Sequence, residues 1–293
     1  TGCGIPKSDF EALKSENKLL KTELAELQMR NEEINYLNKH SQVVLANTEL
    51  KKLKSSYNGQ EYMIKVKLPR GYENGNKTYP VLYVTDAETN FGGITYIVQR
   101  LIKDKLIPPL IVVGIAYNTD YKSFYRLRGR DLTPKQYDKL KIGPTGGAEK
   151  FCDFLSNELF PFIGENYRVV NNDRAIYGHS YGGLFGSYVL LKRSDLFNKY
   201  LLLSPSLWYS NNLMLEEANK SNLNLKSTGL YMASGELEPR IDDLQIEFAS
   251  VLRNKKLSNL RMKDEVMDNE THRTIFGIGF TNGMRFLYAR QKE

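Results

Sequence analysis

The stretch Ala175-Ile176-Tyr177-Gly178-His179-Ser180-Tyr181-Gly182-Gly183-Leu184-Phe185-Gly186 decides the fold. An apolar run here meets a serine with glycines two positions before and after it, the pattern G-x-S-x-G. This pattern is typical of a nucleophile elbow, a strained strand-to-helix turn that holds the serine hydroxyl out into solvent. An ordinary glycine-rich turn is the alternative, but the apolar run before the motif and the helical pattern after it favour the elbow. We therefore predict that Ser180 is a nucleophile and that the N–H of Tyr181 donates to an oxyanion.

A serine nucleophile needs a general base, and the chain has three histidines, His40, His179 and His272. His179 lies within the elbow, where we expect its side chain to point away from the serine, and His40 lies far upstream. His272 follows the serine in chain order, as in α/β-hydrolases. It is the predicted base.

The acid of a triad should lie in a loop after a strand, between the serine and the base. An apolar strand that ends at Gly235 runs directly into Glu236 and Glu238. Many α/β-hydrolases carry the acid three residues beyond such a glycine, and Pro239 keeps the preceding residue extended. Glu238 is favoured, Glu236 is the alternative, and Asp242 is a distant third.

Composition limits the class of protein. The chain has 293 residues, 41% of them hydrophobic, which is enough for one sizeable core with some chain left over. The net charge of +7 favours either anionic ligands or simply a soluble basic surface. The sequence contains no nucleic-acid motif, Cys/His metal cluster, phosphate loop or dinucleotide fingerprint, so we predict no nucleic-acid partner, metal or cofactor. No apolar stretch reaches the approximately 20 residues that span a bilayer.

The N-terminal residues Thr1-Gly2-Cys3-Gly4 look like the end of a bacterial lipoprotein signal, in which the cysteine becomes the acylated first residue. This pattern predicts a lipid anchor at Cys3 and a location in the bacterial cell envelope, on the periplasmic or surface side. A chance cysteine or a cloning remnant is the alternative. The other cysteine, Cys152, is predicted to lie in the core.

Residues 10–37 carry a heptad pattern. Two series recur every seven residues, Leu13, Leu20, Leu27 and Ile34, and Phe10, Asn17, Leu24 and Asn31. This pattern predicts a coiled-coil stalk and a homo-oligomer, and the alternative is one amphipathic helix folded back on the catalytic body. We divide the chain into residues 1–41, the N-terminus and stalk, and residues 42–293, the catalytic domain.

In the second part, apolar strands alternate with helices, which predicts the α/β class with a mostly parallel central sheet flanked by helices. Ligands then bind at the carboxyl ends of the strands. The predicted strands are Tyr62–Pro69, Pro80–Asp86, Leu110–Ile115, the elbow strand, Tyr200–Ser204 and Leu230–Ser234. The predicted helices are Ile94–Lys105, Gly147–Asn166, Leu184–Lys192, Met214–Asn219, Asp242–Lys255 and Gly277–Arg290.

Several strings beyond the elbow carry a family resemblance, namely YPVLYVTDAE, PPLIVVGI, RLRGRDLTP, GGAEKFCDFLSNELFPFI, LLSPSLWYS, SGELE and ETH. With them, the chain from about Asn47 to its end resembles the "putative esterase" family of α/β-hydrolases. Within that family it is most similar to trilactone siderophore esterases of the enterobactin and bacillibactin type and to their periplasmic relatives. Feruloyl and acetyl-xylan esterases are more distant.

The resemblance implies an α/β-hydrolase fold and ester hydrolysis through an acyl-enzyme, with a small-molecule ester as substrate. The oxyanion hole would combine the N–H of Tyr181 with one near Ala87. Relatives commonly have Asp-Gly where this chain has Asp86-Ala87, and a backbone N–H is kept in either case. An acyltransferase, or a catalytically idle hydrolase-fold binding protein, is the alternative function.

Four residues are candidates for substrate binding. Arg128 and Arg130 lie in a segment that relatives place over the site as a loop, and guanidinium groups suit catecholate, carboxylate or phosphate oxygens. Surface solubility or an ion pair with Asp131 is the alternative. Trp208 and Tyr209 would form an aromatic wall for an acyl or aryl group, or else pack in the core.

Overall fold

The structure is a computed structural model that describes residues 17–18, 20–32, 45–117, 119–141 and 143–289. The chain divides into two units, Thr1–Ala46 and Asn47–Glu293. Cys3, the predicted lipidation site, lies outside the described residues, as do both ends of the heptad segment 10–37.

In the first unit, residues 20–32 are α-helical. Leu20, Leu24 and Leu27 are 55%, 57% and 62% exposed. They come from both heptad series, so this helix carries an exposed apolar stripe; its pairing in a coiled coil stays a prediction. None of the helices in the described ranges is long and apolar enough to cross a bilayer.

In the second unit, the described residues form one eight-stranded sheet with the order β1-β2-β4-β3-β5-β6-β7-β8. β2 is antiparallel to β1 and to β4, and the remaining pairs are parallel. The strands are β1 (Thr48–Lys54), β2 (Glu61–Lys67), β3 (Tyr79–Val84), β4 (Ile111–Ala116), β5 (Val169–His179), β6 (Lys199–Leu203), β7 (Thr228–Gly235) and β8 (Leu260–Met267).

Helices cover both faces of this sheet. They are α1 (Ala87–Lys103), α2 (Tyr121–Leu132), α3 (Ala148–Phe154 and Phe160–Asn166, joined by a π-helical turn at Leu155–Leu159), α4 (Tyr181–Lys192), α5 (Tyr209–Lys220), α6 (Ile241–Asn254) and α7 (Ile275–Tyr288).

The continuous apolar strands are explained by two cores, one on each face. In β3, Val81 and Tyr83 belong to one core, and Leu82 and Val84 belong to the other. Because successive side chains of a strand point to opposite faces, a strand covered on both sides has to be apolar throughout. Cys152 is fully buried in the first core, as predicted.

The structure corrects several element predictions. α1 begins at Ala87, not at Ile94, because the helix continues through Gly92 and Gly93, which disfavour helix in a sequence pattern. The segment predicted as a loop with two arginines is the helix α2, whose first turn is capped by the Asp120 carboxylate accepting a hydrogen bond from the Ser123 N–H at 3.0 Å. Two strands, β1 and β8, were not predicted because both are rich in charged residues.

Candidate functional site

The elbow has the strained geometry that its sequence predicts. Ser180 lies between β5 and α4 with φ 60° and ψ −115°, which an ordinary residue rarely adopts. A Cβ atom at Gly178 would lie 2.1 Å from the backbone oxygen of Gly182. Only glycine fits between the strand and the helix here, so the G-x-S-x-G spacing is a packing requirement of the turn.

The carboxyl ends of β5, β6 and β7 lie side by side, since His179 pairs with Leu203 and Leu203 pairs with Ala233. This register brings the elbow next to the loop that follows β7. That loop carries Glu238, which is 5% exposed. The turn before α7 carries His272, whose side chain is 38% exposed.

A short contact joins the base and the acid. The Nδ1 atom of His272 lies 2.5 Å from Oε2 of Glu238. The other carboxylate oxygen accepts hydrogen bonds from the Ser204 hydroxyl at 2.6 Å and from the Gly235 N–H at 2.8 Å. Burial raises the pKa of Glu238, but these hydrogen bonds outweigh it, so the pKa lies below its usual range. The carboxylate is therefore held ionised against the imidazole.

The other two acid candidates have different partners. Glu236 accepts a hydrogen bond from the N–H of Asn269 at 2.9 Å. Asp242 lies in the first turn of α6, where it accepts a hydrogen bond from the N–H of Asp243 at 2.9 Å. Of the three, the structure places Glu238 at the imidazole.

Ser180 and His272 open into a common cavity of about 480 Å³. It is lined by Asp86, Thr89, Asn90, Phe124, Tyr125, Arg128, His179, Ser180, His272, Arg273 and Phe276. The hydroxyl of Ser180 lies 3.3 Å from that of Ser206. Among the described residues, Ser206 and not His272 is the hydrogen-bond partner of the Ser180 hydroxyl. The bond between a nucleophile and its base often tightens only around substrate, so the relation between Ser180 and His272 is the cavity that they share.

The two predicted oxyanion donors are backbone N–H groups at the start of helices. Tyr181 is the first residue of α4, and Ala87 is the first residue of α1. The first N–H groups of a helix have no acceptor in the helix itself. Both predicted oxyanion donors are therefore of the appropriate kind.

The side chain of His179 contacts the predicted base and not the serine among the described residues. Its ring lines the cavity, and its centroid lies 4.5 Å from that of His272. The Nε2 atom lies 2.6 Å from the backbone oxygen of His272, a spacing that suits donation from Nε2–H. Burial, with the nearby His272 charge, lowers the pKa of His179 to about 4. A neutral ring therefore supports the backbone of the predicted base.

The two predicted substrate arginines are both engaged in ion pairs. Arg128 lines the cavity but donates to both carboxylate oxygens of Asp86, at 2.8 and 2.7 Å. Arg130 donates to both oxygens of Asp131 and lines a separate cavity of about 280 Å³. The structure does not bring Arg130 to the serine, because helix α2 directs it to the other side.

The two predicted wall aromatics pack beside the elbow. Tyr209 is fully buried and donates its hydroxyl to the Lys135 carbonyl at 2.7 Å, which favours the core-packing alternative. Trp208 contacts the ring of Tyr181, with centroids 6.2 Å apart. The aromatic rings that line the cavity are instead Phe124, Tyr125 and Phe276.

Sequence reasoning missed Arg273, an exposed cavity residue directly after His272. Within the described part of the chain it forms no ion pair, so its charge faces the cavity without a carboxylate partner. Its position next to the base was the available signal. Across the same described residues, no group of three or more His, Cys, Asp or Glu side chains could hold a metal ion.

Known proteins resemble this chain in both sequence and fold. The sequence profile of the family described as "Putative esterase" matches residues 55–276, which is most of the chain. The chain belongs to this family. The predicted resemblance is thereby confirmed, and so is the α/β fold with its mostly parallel sheet.

Relatives in the esterase family include siderophore esterases. Ferri-bacillibactin esterase BesA of Bacillus subtilis is 30% identical over 227 residues, 71% of this chain and 78% of the relative. Siderophore triacetylfusarinine C esterase of Aspergillus fumigatus is 30% identical over 226 residues, 72% of this chain and 76% of the relative. An IroE-like serine hydrolase from Shewanella oneidensis superimposes with a TM-score of 0.72 at 30% identity, covering 82% of this chain and 80% of that one. The chain is a hydrolase of the esterase type.

Proposed function

We propose that the protein is a serine carboxylic-ester hydrolase in which Ser180, His272 and Glu238 form the triad. One observation carries the proposal: the elbow serine and the His272–Glu238 pair, joined at 2.5 Å, meet at one cavity. The acid then holds the base at the cavity into which the nucleophile opens, which is the grouping that acyl transfer uses. Similarity to a protein described as a serine hydrolase supports it.

The reaction proceeds in two steps. Because Nδ1 of His272 is committed to Glu238, Nε2 takes the proton from the Ser180 hydroxyl as its oxygen attacks the ester carbonyl. The N–H groups of Tyr181 and Ala87 stabilise the tetrahedral oxyanion, each donor being worth roughly 3 kcal/mol of barrier. The imidazolium then protonates the leaving alcohol. Water, deprotonated by the same nitrogen, hydrolyses the acyl-enzyme and frees the serine.

The substrate we propose is a siderophore ester or a related aryl or acyl ester. Two relatives are described as siderophore esterases, of bacillibactin and of triacetylfusarinine C. An aryl group of the substrate would pack against the aromatic residues that line the cavity, Phe124, Tyr125 and Phe276. The exposed guanidinium of Arg273 suits an anionic oxygen, whereas the charge of Arg128 is already matched by Asp86.

We extend the proposal to the N-terminal segment. Lipidation of Cys3 would attach the enzyme to a bacterial envelope membrane, and the heptads of residues 10–37 would associate chains into a homo-oligomer. The exposed leucine stripe of helix 20–32 supports the second part. Catalysis in this arrangement belongs to the second unit.

Ser180→Ala tests the nucleophile. We expect the wild-type protein to hydrolyse at least one ester in a panel of short acyl, feruloyl and catecholate-siderophore esters. The variant should lose at least about a thousand-fold in kcat, since residual rates in such variants come from binding and the oxyanion hole alone. Labelling by a fluorophosphonate probe should map to Ser180. Labelling that persists in the variant would contradict the mechanism.

Glu238→Gln and Glu236→Gln form a matched pair for the acid. We expect the first change to lower kcat by about a hundred-fold or more, since an amide cannot stabilise the imidazolium as a carboxylate does. The second should stay near wild type, because Glu236 contacts a backbone N–H and not the imidazole. A damaging Glu236→Gln with a silent Glu238→Gln would transfer the role to Glu236. If both are silent, the enzyme works as a dyad.

A further inference from the structure

Ser204 is a buried serine that directly follows β6. It is 0% exposed and has φ 42°, the left-handed region that non-glycine residues rarely occupy. Its N–H donates to the carbonyl of Ala233 on β7 at 2.7 Å. This bond fixes the backbone of Ser204 against the strand that leads to Glu238.

The hydroxyl of Ser204 contacts the carboxylate of Glu238. Ser204 Oγ lies 2.6 Å from Oε1, the oxygen that also accepts from the Gly235 N–H at 2.8 Å. The imidazole of His272 contacts the other oxygen, Oε2. Two donors on one oxygen and one on the other leave the carboxylate a single orientation, in which Oε2 faces Nδ1.

We propose that Ser204 is a positioning residue of the esterase, which acts through Glu238 to aim its carboxylate at His272. The inference rests on the proposed triad. Among the described residues, the hydroxyl of Ser204 hydrogen-bonds to Glu238 and not to the serine nucleophile, and Ser204 does not line the cavity, so we expect the hydroxyl to act through the acid. Because Ser204 is fully buried, bulk water does not supply a substitute donor to Glu238 when the hydroxyl is removed.

Ser204→Ala and Ser204→Gly together separate the hydroxyl from the strained backbone. Both remove the donor, but glycine suits φ 42° and relieves the strain. We expect kcat to fall roughly ten-fold or more in both, the usual worth of a hydrogen bond to a charged group, with KM little changed. If the alanine variant does not fold, the glycine variant still carries the test. Wild-type kcat in Ser204→Gly would overturn the proposal, since the hydroxyl would then be dispensable.

Ser234→Ala is the matched control. Ser234 is also 0% exposed and lies at the same edge of the sheet, at the end of β7, but its hydroxyl has no hydrogen-bond partner among the described residues. Removing it takes the same atom from a similar environment without touching the carboxylate. We expect kcat to stay within about two-fold of wild type, as is usual for a hydroxyl that makes no bond. An equal loss in Ser234→Ala and Ser204→Ala would overturn the proposal.

A double-mutant cycle distinguishes a positioning role from a merely structural one. When Glu238→Gln has already impaired the acid, loss of the Ser204 hydroxyl should cost far less than in the wild-type background. Fully additive losses would overturn the inference about Ser204. A Glu238→Gln variant as active as wild type would instead refute the triad, so the two failures are distinguishable.

Discussion

At the scale of the single residue, His179 couples the stability of the fold to pH. Burial beside His272 lowers its pKa from 6.5 to about 4. Between these pH values the unfolded chain binds a proton at this residue that the folded chain does not bind. Above pH 6.5 His179 is neutral in both states and costs the fold nothing. As the pH falls from 6.5 toward 4, protonation of the unfolded chain lowers the unfolding free energy by up to about 3 kcal/mol.

Urea unfolding of wild type and His179→Gln between pH 4 and pH 7 measures this contribution. Glutamine does not titrate, and its amide keeps an N–H donor for the His272 carbonyl. We expect wild type to lose more unfolding free energy than the variant as the pH falls. Parallel pH profiles for the two proteins would contradict the assignment.

The residues that sequence could predict are those defined locally. Ser180 follows from the spacing of its glycines, and His272 follows from the scarcity of histidines in the chain. The pairing of Arg128 with Asp86 is different, since the two residues are 42 positions apart and meet only through the packing of α2 against α3 and α4. No local pattern in the sequence shows that Asp86 already neutralises the charge of Arg128.

At the scale of the element, the junction of β5 and α4 depends on Gly178. We expect Gly178→Ala to destabilise the protein by about 3 kcal/mol or more, because its methyl group would overlap the Gly182 carbonyl and push the helix off the strand. The helix carries the Tyr181 N–H, so activity should fall with stability. Thermal unfolding and kcat of the same preparation measure both effects.

Gly164→Ala is the control for this change. Gly164 lies in the last helical part of α3, and a Cβ atom there would meet nothing within 4 Å. Alanine is the better helix former, so this change should stabilise the protein by roughly 0.5–1 kcal/mol. Equal destabilisation by both alanines would show that the close approach at Gly178 does not determine the effect.

Sequence predicts best the elements whose burial is uniform. β4 is buried at every position and was found as a continuous apolar run. β8 reads Leu-Arg-Met-Lys-Asp-Glu-Val-Met, lies at the edge of the sheet, and is stabilised by pairing with β7 along its length. Since strand pairing is a tertiary interaction, such a charged strand is not evident in a local pattern.

At the scale of the whole molecule, the net charge of +7 and the single guanidinium of Arg273 are two different sources of attraction for an anion. The hydrolysis of an anionic catecholate ester should weaken with added salt more than that of a neutral acetyl ester, because exposed charges are screened. Arg273→Gln should raise KM for the anionic ester several-fold and leave the neutral one nearly unchanged. Initial rates at low and high ionic strength give both comparisons.

Arg100→Gln is the control for net charge. Arg100 is an exposed residue of α1 that does not line the cavity, and its replacement removes the same charge from the molecule. We expect little change in KM for either ester. If the two arginine variants behave alike, the overall charge of the protein and not the cavity determines the preference.

The N-terminal segment should associate chains without taking part in the chemistry. Deleting residues 1–39 should leave kcat/KM nearly unchanged, because the proposed triad and the residues that line its cavity all belong to the second unit. The same deletion should reduce the assembly size measured by light scattering, since it removes the stripe of Leu20, Leu24 and Leu27. A full-length variant with Leu20→Glu and Leu27→Glu should dissociate likewise, whereas Glu23→Gln, on the same helix, should not. If the deletion abolishes activity, the segment packs on the catalytic unit, and the folded-back helix replaces the stalk.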